Sequence, residues 1–326
     1  MNIRITGTGS AVPEKKVTND DLAQIMDTSD EWIRSRTGIG SRHVAVEETT
    51  TSLSVAAAEK ALADAGMAAD ELDLIIAATV TPDKFLPSLA CEVQSELGAK
   101  KAVAFDLNAA CSGFLFALNT AYMYLNSGVY KNVLVIGAEV LSKIMDWNDR
   151  STCVLFGDGA GAAVVCAQGE NSQGRRGILS TVQGSDGASG LVLRCDNRPV
   201  NNPYVKNDAA LSYVTMEGQA VYKFAVKTVP RVIEEAVAAA GFSVDEIDLF
   251  VLHQANYRII EAVAKRLGQP MEKFPTNLQE CGNISAASVP ILLDNVRNHG
   301  MIEDGKKIVL AGFGAGLTWG ATVLQW

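Results

Sequence analysis

The sequence predicts an α/β protein built from two similar halves. Strand-like and helix-like segments alternate along the chain, and parts of the first half recur in the second. Residues 59–74 align without gaps with residues 234–249, and nine of the sixteen aligned positions are identical. Helix–glycine–strand patterns are common in α/β proteins and would produce part of this match, but nine identities favour an internal duplication.

Each copy of this repeat predicts the same local structure. An alanine-rich amphipathic segment predicts a helix that ends at Gly66 or Gly241, and an acidic turn leads into an apolar strand. A second similarity joins residues 111–128 to residues 283–300. Both segments begin with small residues, continue with an apolar helical pattern and close with Asn-x-Gly. At this spacing we expect residues 111 and 283 to lie at equivalent helix starts.

The remaining elements follow the same alternation. Apolar runs predict strands at 74–80, 102–107, 132–138, 160–166, 178–183, 249–254, 307–312 and 317–324. A helix is predicted at 217–240. The polar, glycine-rich stretch 168–177 predicts the boundary between an N-terminal half, residues 1–170, and a C-terminal half, residues 171–326. Duplicated halves normally meet face to face, so we expect a site at their junction that draws residues from each.

Length and charge disfavour several classes of protein. A chain of 326 residues suffices for about two domain-sized units with a substantial core. With 28 basic and 37 acidic residues, the net charge of −9 disfavours a generic binder of nucleic acid or of anionic membranes. An acidic partner would have to meet a local basic patch. The sequence has no apolar run typical of a signal peptide or a membrane span, so we expect a cytoplasmic protein.

The sequence also disfavours metal and dinucleotide sites. Its six cysteines are scattered without a Cys-x-x-Cys pair, and three histidines form no cluster with them, so we expect no metal. The GTGS segment at 7–10 lacks the third glycine of a dinucleotide fingerprint. A glycine-rich segment at 312–320 is either a tight turn between strands or a backbone that offers an N–H group to a developing oxyanion.

Three residues are candidates for chemistry. Cys111 follows a predicted strand and leads a predicted helix, where the positive end of the helix dipole should lower the pKa of a thiol; a buried structural cysteine is the alternative. His253 ends a predicted strand, where α/β proteins often hold functional groups, although a buried structural histidine is equally consistent. Asn283 alone would be a helix N-cap, but the second similarity makes it the counterpart of Cys111.

Several blocks, in this order and over the whole chain, resemble one family. They are GTGSAVPE, DTSDEWIRSRTGI (27–39), DLNAACSGF (106–114), DRSTCVLFGDGAGAAVV (149–165), HQAN (253–256), GNISAAS (282–288) and GFGAGLTWG (312–320). The sequence resembles the β-ketoacyl-acyl-carrier-protein synthase III enzymes, which start bacterial fatty-acid synthesis and belong to the thiolase-like condensing enzymes. The resemblance implies a homodimer of thiolase-like chains, each with two duplicated halves layered α-β-α-β-α.

The resemblance also implies a mechanism without a cofactor. Cys111 would attack the thioester of a short acyl-coenzyme A, and His253 and Asn283 would stabilise the enolate formed when malonyl-acyl-carrier protein loses CO₂. Backbone N–H groups of Cys111 and Ala315 would form the oxyanion hole. Many family members carry three glycines where this chain has Gly314-Ala315-Gly316, so Ala315 fits only if its backbone angles suit alanine.

Substrate contacts follow from the same resemblance. It implies that Trp32 and Arg150 flank the adenine of coenzyme A and that Leu86 shapes the acyl pocket. The other implied coenzyme A contacts are Thr28, Arg36 and Asn256. Basic residues on two helices next to His253 in sequence predict a docking face for the acidic acyl carrier protein, unless they are an ordinary solvated surface. They are Lys223, Lys227 and Arg231 on the first helix and Arg258, Lys265 and Arg266 on the second.

Other functions stay open on the sequence alone. A related enzyme of specialised metabolism would use another acyl donor or acceptor, as in polyketide or quinolone synthesis. A Cys-His hydrolase of acyl thioesters and a catalytically silent acyl-coenzyme A binding protein belong to other classes. The chain lacks a Gly-x-Ser-x-Gly hydrolase motif and keeps Cys111, His253 and Asn283, which favours the condensing enzyme.

Overall fold

The computed structural model describes residues 2–169, 176–207 and 212–326. Their strands are β1 (Asn2–Ala11), β2 (Lys16–Thr18), β3 (Ser41–His43), β4 (Leu74–Ala78), β5 (Val103–Leu107), β6 (Asn132–Val140), β7 (Asp158–Gln168), β8 (Gly177–Ser185), β9 (Leu193–Arg194), β10 (Thr215–Met216), β11 (Leu249–Leu252), β12 (Lys307–Gly314) and β13 (Thr318–Gln325). Their α-helices are α1 (Asn19–Ala23), α2 (Asp30–Thr37), α3 (Thr50–Ala65), α4 (Leu89–Leu97), α5 (Gly113–Asn126), α6 (Gly218–Ala240), α7 (Tyr257–Leu267), α8 (Leu278–Cys281) and α9 (Ser288–Asn298). Every strand predicted from the sequence is confirmed, as is the helix predicted at 217–240.

Two sheets repeat one strand arrangement. The first has the order β1-β7-β6-β4-β5, and the second has the order β8-β13-β12-β11. In each, the second strand is antiparallel to the first and to the third, and the fourth runs parallel to the third. Because order and direction agree, the two halves share one topology, and β5 is an additional edge strand of the first sheet.

Helices cover both faces of both sheets. Ile75 of β4 packs in the cluster formed by α3 and α4, whereas Ile76 packs with α5, because successive strand residues point to opposite faces. In the second sheet Phe250 packs with α6 and α7, and Val251 packs with α9. The layers therefore run α3/α4, first sheet, α5/α9, second sheet, α6/α7, which is the predicted α-β-α-β-α order.

Close backbone contact fixes α3 on the first sheet. A Cβ atom on Gly7 of β1 would lie 2.2 Å from the carbonyl oxygen of Ala61, and one on Gly9 would lie 2.3 Å from that of Ala57. Glycine on the strand and alanine on the helix let the two backbones approach more closely than larger side chains would allow. The GTGS segment is thus a packing surface for a helix.

The repeat at 59–74 and 234–249 has the predicted structure. Helices α3 and α6 end at Gly66 and Gly241, whose φ angles of 63° and 85° lie in the left-handed region. A 3₁₀ turn follows each, at Ala69–Glu71 and Val244–Glu246, and then β4 or β11 begins. The expectation of a helix, a glycine stop, an acidic turn and a strand is confirmed in both copies.

The second similarity was aligned wrongly at its start. Helix α5 follows a 3₁₀ turn at Ala110–Ser112, and α9 follows one at Ser285–Ala287, so these turns are equivalent. Cys111 therefore corresponds to Ala286, and Asn283 corresponds to Asn108. The physical reason is helix length: α5 has 14 residues and α9 has 11, so matching the glycines at the helix ends shifts the starts by three residues.

The boundary predicted at 168–177 lies largely outside the described residues, which omit 170–175. The division into residues 1–170 and 171–326 therefore stays a prediction. Among the helices of the described ranges, we find none with the length and apolar character needed to cross a membrane.

Candidate active site

Cys111 lies in the turn between β5 and α5, at the junction of the two halves. Its side chain is 8% exposed. The preceding residue, Ala110, has a positive φ of 46°, which bends the chain sharply before the helix. Gly314 at the end of β12 packs directly on this turn, since a Cβ atom there would lie 2.7 Å from the Cys111 nitrogen. Cys111 of the first half thus contacts strand β12 of the second half.

The expectation that the helix start lowers the pKa of Cys111 is wrong. Burial raises the pKa of its thiol to about 12, because a thiolate there loses its hydration. The nearby Ser285 hydroxyl lowers this pKa by favouring the thiolate, whereas the carboxylate of Glu139 raises it further. The Cys111 thiol is therefore protonated at neutral pH, and its ionisation requires a proton acceptor.

His253 follows the last residue of β11. Its backbone N–H donates to the Ala311 carbonyl at 2.8 Å, which continues the pairing of β11 with β12. The side chain is 3% exposed, and burial lowers the pKa of its imidazole to about 3. Its ring meets the Phe313 ring edge-on, with 5.4 Å between the centroids. Among the described residues Nδ1 has no hydrogen-bond partner. The imidazole is therefore neutral and free to donate through one ring nitrogen.

Asn283 is held by its backbone and by one side-chain atom. Its N–H donates to the Leu155 carbonyl at 2.8 Å, and its carbonyl accepts from the Gly157 N–H at 3.0 Å. The side-chain Oδ1 accepts from the Ser285 N–H at 2.9 Å. Because Oδ1 is occupied in this way, Nδ2 is left as a donor without a partner in the described part of the chain.

The structure brings the three candidates together around one strand and one turn. A Cβ atom on Gly312 of β12 would lie 3.5 Å from the Cβ of His253 and 3.6 Å from the carbonyl oxygen of Cys111. Ser285, two residues after Asn283, has its hydroxyl beside the Cys111 sulfur. A thiol, a neutral imidazole and an amide donor therefore share one buried site at the junction of the halves.

Ala315 begins the turn between β12 and β13. Thr318 joins this turn to the Cys111 loop, since its hydroxyl lies 3.1 Å from the Ala109 carbonyl oxygen and 3.0 Å from that of Ala315. Among the described non-glycine residues only Ala110 and Ser285 have positive φ angles. Ala315 thus has a backbone conformation open to alanine, and its methyl group does not remove the N–H donor.

The residues predicted to contact coenzyme A form a surface cluster. Trp32 of α2 lies under two guanidinium groups, with 4.6 Å from its ring centroid to Cζ of Arg36 and 5.1 Å to Cζ of Arg150. Asn256 donates from Nδ2 to the Arg36 carbonyl at 3.0 Å. The hydroxyl of Thr28 is buried and, within the described ranges, has no partner. The five predicted residues come from α2, the preceding loop, the loop before β7 and the start of α7.

The predicted basic residues lie on α6 and α7, which pack together. All have exposed side chains. Arg266 donates to the Val226 carbonyl of α6 at 3.3 Å, and Arg258 donates to the Ser35 carbonyl at the end of α2. Arg231 differs, because Glu235 neutralises it at 2.6 Å. The others form what we term the basic face, made up of Lys223, Lys227, Arg258, Lys265 and Arg266, which extends from α6 to the Trp32 cluster.

Leu86 lies apart from the buried site. Its side chain is 87% exposed and stands beside that of Phe85, which is 70% exposed. The residues that the structure describes therefore form no pocket around Leu86.

Comparisons with known proteins cover the whole chain and point to one family. A family model for 3-oxoacyl-[acyl-carrier-protein (ACP)] synthase III matches residues 105–187, and its C-terminal counterpart matches residues 237–326. The β-ketoacyl-[acyl-carrier-protein] synthase III of Clostridium acetobutylicum is 50% identical over 326 residues, which is 100% of this chain and 99% of the relative. The chain belongs to the 3-oxoacyl-[acyl-carrier-protein] synthase III family. It is an acyltransferase, an initiating condensing enzyme of fatty-acid synthesis.

Solved structures of similar proteins have the same fold as this synthase III chain. The 3-oxoacyl-[acyl-carrier-protein] synthase III of Aquifex aeolicus VF5 superposes with a TM-score of 0.93 at 46% identity, covering 100% of both chains. The priming β-ketosynthase of the R1128 polyketide pathway superposes with a TM-score of 0.92 at 37% identity, covering 99% of this chain and 96% of its own. The family resemblance and the thiolase-like fold predicted from the sequence are confirmed.

Sequence reasoning missed two polar residues of this synthase III chain that lie next to Cys111. Glu139 is 0% exposed on β6, and Ser285 is 3% exposed in the turn before α9. Glu139 is the only charged residue of the strand NVLVIGAEV, and a charge within a buried apolar strand is a recognisable signal. Ser285 has no comparable signal, because serine is common before a helix.

Proposed function

We propose that the chain condenses a short acyl group from acyl-coenzyme A with malonyl-acyl-carrier protein through a thioester on Cys111. The observation that carries this proposal is the convergence of Cys111, His253 and the Asn283 segment on Gly312 and on the turn before α9. The names of the relatives support acyl carrier protein as the carrier of one substrate. We propose acyl-coenzyme A as the other substrate.

In the first step the Cys111 thiolate attacks the acyl carbonyl, and the coenzyme A thiolate leaves. The backbone N–H groups of Cys111 and Ala315 stabilise the oxyanion that forms in between. Their proximity supports this role, because Gly314 adjoins both the Ala315 nitrogen in sequence and the Cys111 nitrogen in space. A side chain at 314 would press on the Cys111 backbone, because its Cβ atom would lie 2.7 Å from the Cys111 nitrogen.

In the second step His253 and Asn283 donate hydrogen bonds to the thioester carbonyl of the malonyl group. Loss of CO₂ leaves an enolate on that oxygen, and the enolate carbon attacks the acyl-Cys111 carbonyl. Two observations support this division of roles. The imidazole of His253 is neutral because its pKa is lowered to about 3, and the Asn283 amide presents Nδ2 because Oδ1 is occupied.

Trp32, Arg36, Arg150, Thr28 and Asn256 are the residues we propose for coenzyme A. A purine between Trp32 and Arg150 needs about 7 Å between them, twice an ordinary van der Waals contact of about 3.5 Å. The Arg150 guanidinium stands only 5.1 Å from the Trp32 ring, so it must move outward by about 2 Å when adenine binds. Its hydrogen bonds to the Asp27 carbonyl and carboxylate are exposed on the protein surface, so the guanidinium can exchange them for water when it moves.

The basic face is the proposed docking site for acyl carrier protein. Its lysines, Lys223, Lys227 and Lys265, form no ion pair with any residue of the described ranges, so their charge is available to an acidic partner. Arg258 connects the face to α2, beside the coenzyme A cluster. A carrier docked here would deliver its acyl arm near the route used by coenzyme A.

A homodimer is the proposed assembly. One edge of β5 pairs with no strand of the described residues, and Val103 at its start is 49% exposed. An unpaired, partly apolar edge strand is a site where a second copy can add to the sheet. Leu86 would line an acyl pocket only if a second subunit covered its exposed side chain.

A second candidate function is priming in polyketide synthesis. It is favoured by one comparison, the R1128 priming β-ketosynthase, which is 37% identical over nearly the whole chain. The same residues would act in the same way, and the acceptor or donor would differ. Turnover with a panel of acyl-coenzyme A donors separates the two candidates.

The nucleophile is tested by intact-protein mass spectrometry after mixing the chain with acyl-coenzyme A. We expect the wild type to gain one acyl mass and Cys111→Ala to gain none. Cys153→Ala is the matched control, since Cys153 is also buried and burial raises its pKa to about 11. Equal acylation of wild type and Cys111→Ala would refute the assignment.

The second step is tested with Asn283→Asp. The aspartate keeps an oxygen to accept from the Ser285 N–H but lacks the Nδ2 donor. We expect acylation of Cys111 to survive and decarboxylation of the malonyl substrate to fall by about 10²–10³-fold. Unchanged CO₂ release from labelled malonyl-acyl-carrier protein would contradict the role of Asn283.

A further inference from the structure

Glu139 is a carboxyl group buried next to the site. No lysine or arginine within the described ranges pairs with it, and its hydrogen-bond donors are three hydroxyls and one backbone N–H. Thr81 donates to Oε2 at 2.5 Å, Thr79 donates to Oε2 at 3.2 Å, and Ser285 donates to Oε1 at 3.1 Å. Burying an unpaired carboxylate is costly, so its occurrence beside Cys111 calls for a role.

Ser285 connects this carboxyl group to Cys111. Its hydroxyl reaches Oε1 of Glu139 on one side and adjoins the Cys111 sulfur on the other. The turn that carries it is fixed, because Asn283 accepts from the Ser285 N–H and a Cβ atom on Gly137 of β6 would lie 2.2 Å from the Ala286 carbonyl. The Ser285 hydroxyl therefore lies between the Cys111 thiol and the Glu139 carboxyl group, and the backbone that carries it is fixed.

We propose that Cys111 and Glu139 share one proton across the Ser285 hydroxyl, so that Glu139 takes the thiol proton when Cys111 attacks and returns it when the thiolate is released. Glu139 is then a positioning residue, because it acts on the nucleophile and never touches the substrate. The inference rests on the proposed role of Cys111 as the nucleophile.

Each proton is accounted for in this scheme. As the Cys111 S–H bond breaks, the proton passes to the Ser285 oxygen while the Ser285 proton passes to Oε1 of Glu139. The thiolate forms its bond to the acyl carbon, and the leaving coenzyme A thiolate takes a proton from solvent. After condensation the carbon–sulfur bond breaks, and Glu139 returns its proton through Ser285 to the Cys111 thiolate.

Electrostatics favour an exchange of this kind. Moving the proton from Cys111 to Glu139 leaves the charge of the buried site at −1, so no further charge has to be buried. Burial raises the pKa of Glu139 to about 7, which suits a group that gains and loses a proton near neutral pH. His253 is a poor proton store, because burial lowers its pKa to about 3.

Few other titratable groups face this pair. On β7 the neighbour of Glu139 is Gly159, while Asp158 pairs with Val140 and so points to the opposite face of the sheet. The loop after β4 contributes Thr79, Val80 and Thr81, and the turn before α9 contributes Ser285. From the turn before α5 the titratable group is Cys111 itself. A pH effect on the thiol near neutrality therefore points to Glu139.

The test is the pH dependence of Cys111 alkylation by iodoacetamide, followed by peptide mass spectrometry from pH 5 to 9. In the wild type we expect the rate to rise about tenfold per pH unit up to about pH 7 and then to stay level, because the ionised Glu139 holds the site at one shared proton. In Glu139→Gln we expect the rise to continue, so that at pH 9 the variant reacts about 10- to 100-fold faster than the wild type.

The matched control is Asp158→Asn, which removes another carboxyl group that is 0% exposed but faces away. In this variant the alkylation rate should still be level above pH 7. An alkylation rate that rises steadily to pH 9 in the wild type, or one that is level above pH 7 in Glu139→Gln, would overturn the inference.

Ser285→Ala gives a second measurement that does not depend on the Glu139 variant. Alanine is tolerated at this backbone geometry, since the equivalent Ala110 has a φ of 46° and Ser285 has a φ of 43°. Without the hydroxyl that favours the thiolate, alkylation should be slower by about tenfold or more at every pH. Unchanged alkylation in Ser285→Ala would contradict the bridge. If Cys111 takes up an acyl group but its alkylation rate does not become level above pH 7, this inference fails while the proposed function stands.

Discussion

Three titratable side chains meet at the junction of the halves, and burial disfavours the charged form of each. The pKa of Cys111 rises to about 12 and that of Glu139 to about 7, while the pKa of His253 falls to about 3. A neutral imidazole donates one hydrogen bond without bringing a positive charge into an apolar site. The same burial disfavours a second negative charge in the site, so an ionised Glu139 opposes the ionisation of Cys111.

The first prediction concerns the free energy of unfolding between pH 4.5 and 7. His253 stays neutral in the folded chain, whereas an unfolded histidine is protonated below its ordinary pKa of 6.5, so its contribution to stability falls as pH falls from 6.5. Glu139 is protonated in the folded chain below about pH 7, whereas an unfolded glutamate is protonated only below 4.5. Its contribution to stability therefore rises as pH falls from 7 to 4.5.

These two contributions oppose each other, and single variants separate them. Urea unfolding of His253→Asn should show stability rising as pH falls, and Glu139→Gln should show it falling, each with a slope of up to about 1.4 kcal/mol per pH unit relative to the wild type. Equal slopes in the two variants would contradict the lowered pKa of His253 and the raised pKa of Glu139.

At the scale of elements, the β12–β13 hairpin decides whether the oxyanion hole can form. Gly314 ends β12 against the Cys111 backbone, and Thr318 at the start of β13 joins the hairpin to the Ala109 and Ala315 carbonyls. The turn between them carries Ala315, whose N–H is the proposed donor. The hairpin therefore holds one donor of the second half against one donor of the first.

The second prediction compares two changes of one methyl group in this hairpin. Gly314→Ala would bring a Cβ atom within 2.7 Å of the Cys111 nitrogen, so the two donors must separate, and we expect kcat to fall by about 10²-fold or more. Ala315→Gly removes a methyl group from a residue whose conformation suits alanine, and kcat should change by less than about threefold.

Steady-state kinetics with both substrates, together with thermal unfolding, distinguish a lost donor from a lost fold. A Gly314→Ala protein that unfolds at a lower temperature but keeps its kcat would show that the contact matters for stability alone.

At the scale of the whole molecule, an acidic chain presents a local basic face. The net charge is −9, yet Lys223, Lys227 and Lys265 lie together on α6 and α7 without ion pairs to the described residues. Such a face would attract an acidic protein, while the rest of the surface would repel other polyanions. Both helices pack on the sheet that carries His253, so a protein docked there would lie close to the site.

The third prediction tests this face with the double variant Lys223→Glu/Lys227→Glu. We expect KM for malonyl-acyl-carrier protein to rise by about tenfold, because two attractive charges become repulsive, while acylation by acyl-coenzyme A stays unchanged. Lys131→Glu, at an exposed lysine between α5 and β6, is the control. An equal rise in KM for Lys131→Glu would indicate a general charge effect, and no rise in the double variant would exclude this face.

The fold class and most of the site follow from local sequence patterns. Apolar periodicity predicts β4 and β11, and the glycines at 66 and 241 predict where α3 and α6 end, because these preferences depend on a few neighbouring residues. Cys111 and His253 are recognisable for the same reason, since each follows a strand. The family blocks add Asn283 to the buried site. They also add the residues around Trp32, which lie together in one surface cluster.

Only the tertiary structure decides what depends on contacts between distant segments. In the folded chain Asn283 is structurally equivalent to Asn108 and not to Cys111, because α9 is three residues shorter than α5. It also reverses the expected pKa shift of Cys111, since burial outweighs the helix start. The link from Cys111 through Ser285 to Glu139 joins residues up to 174 positions apart, and no local pattern encodes such a contact. The pKa of a side chain depends on its hydration and on the charged groups near it, and both are set only when the chain folds.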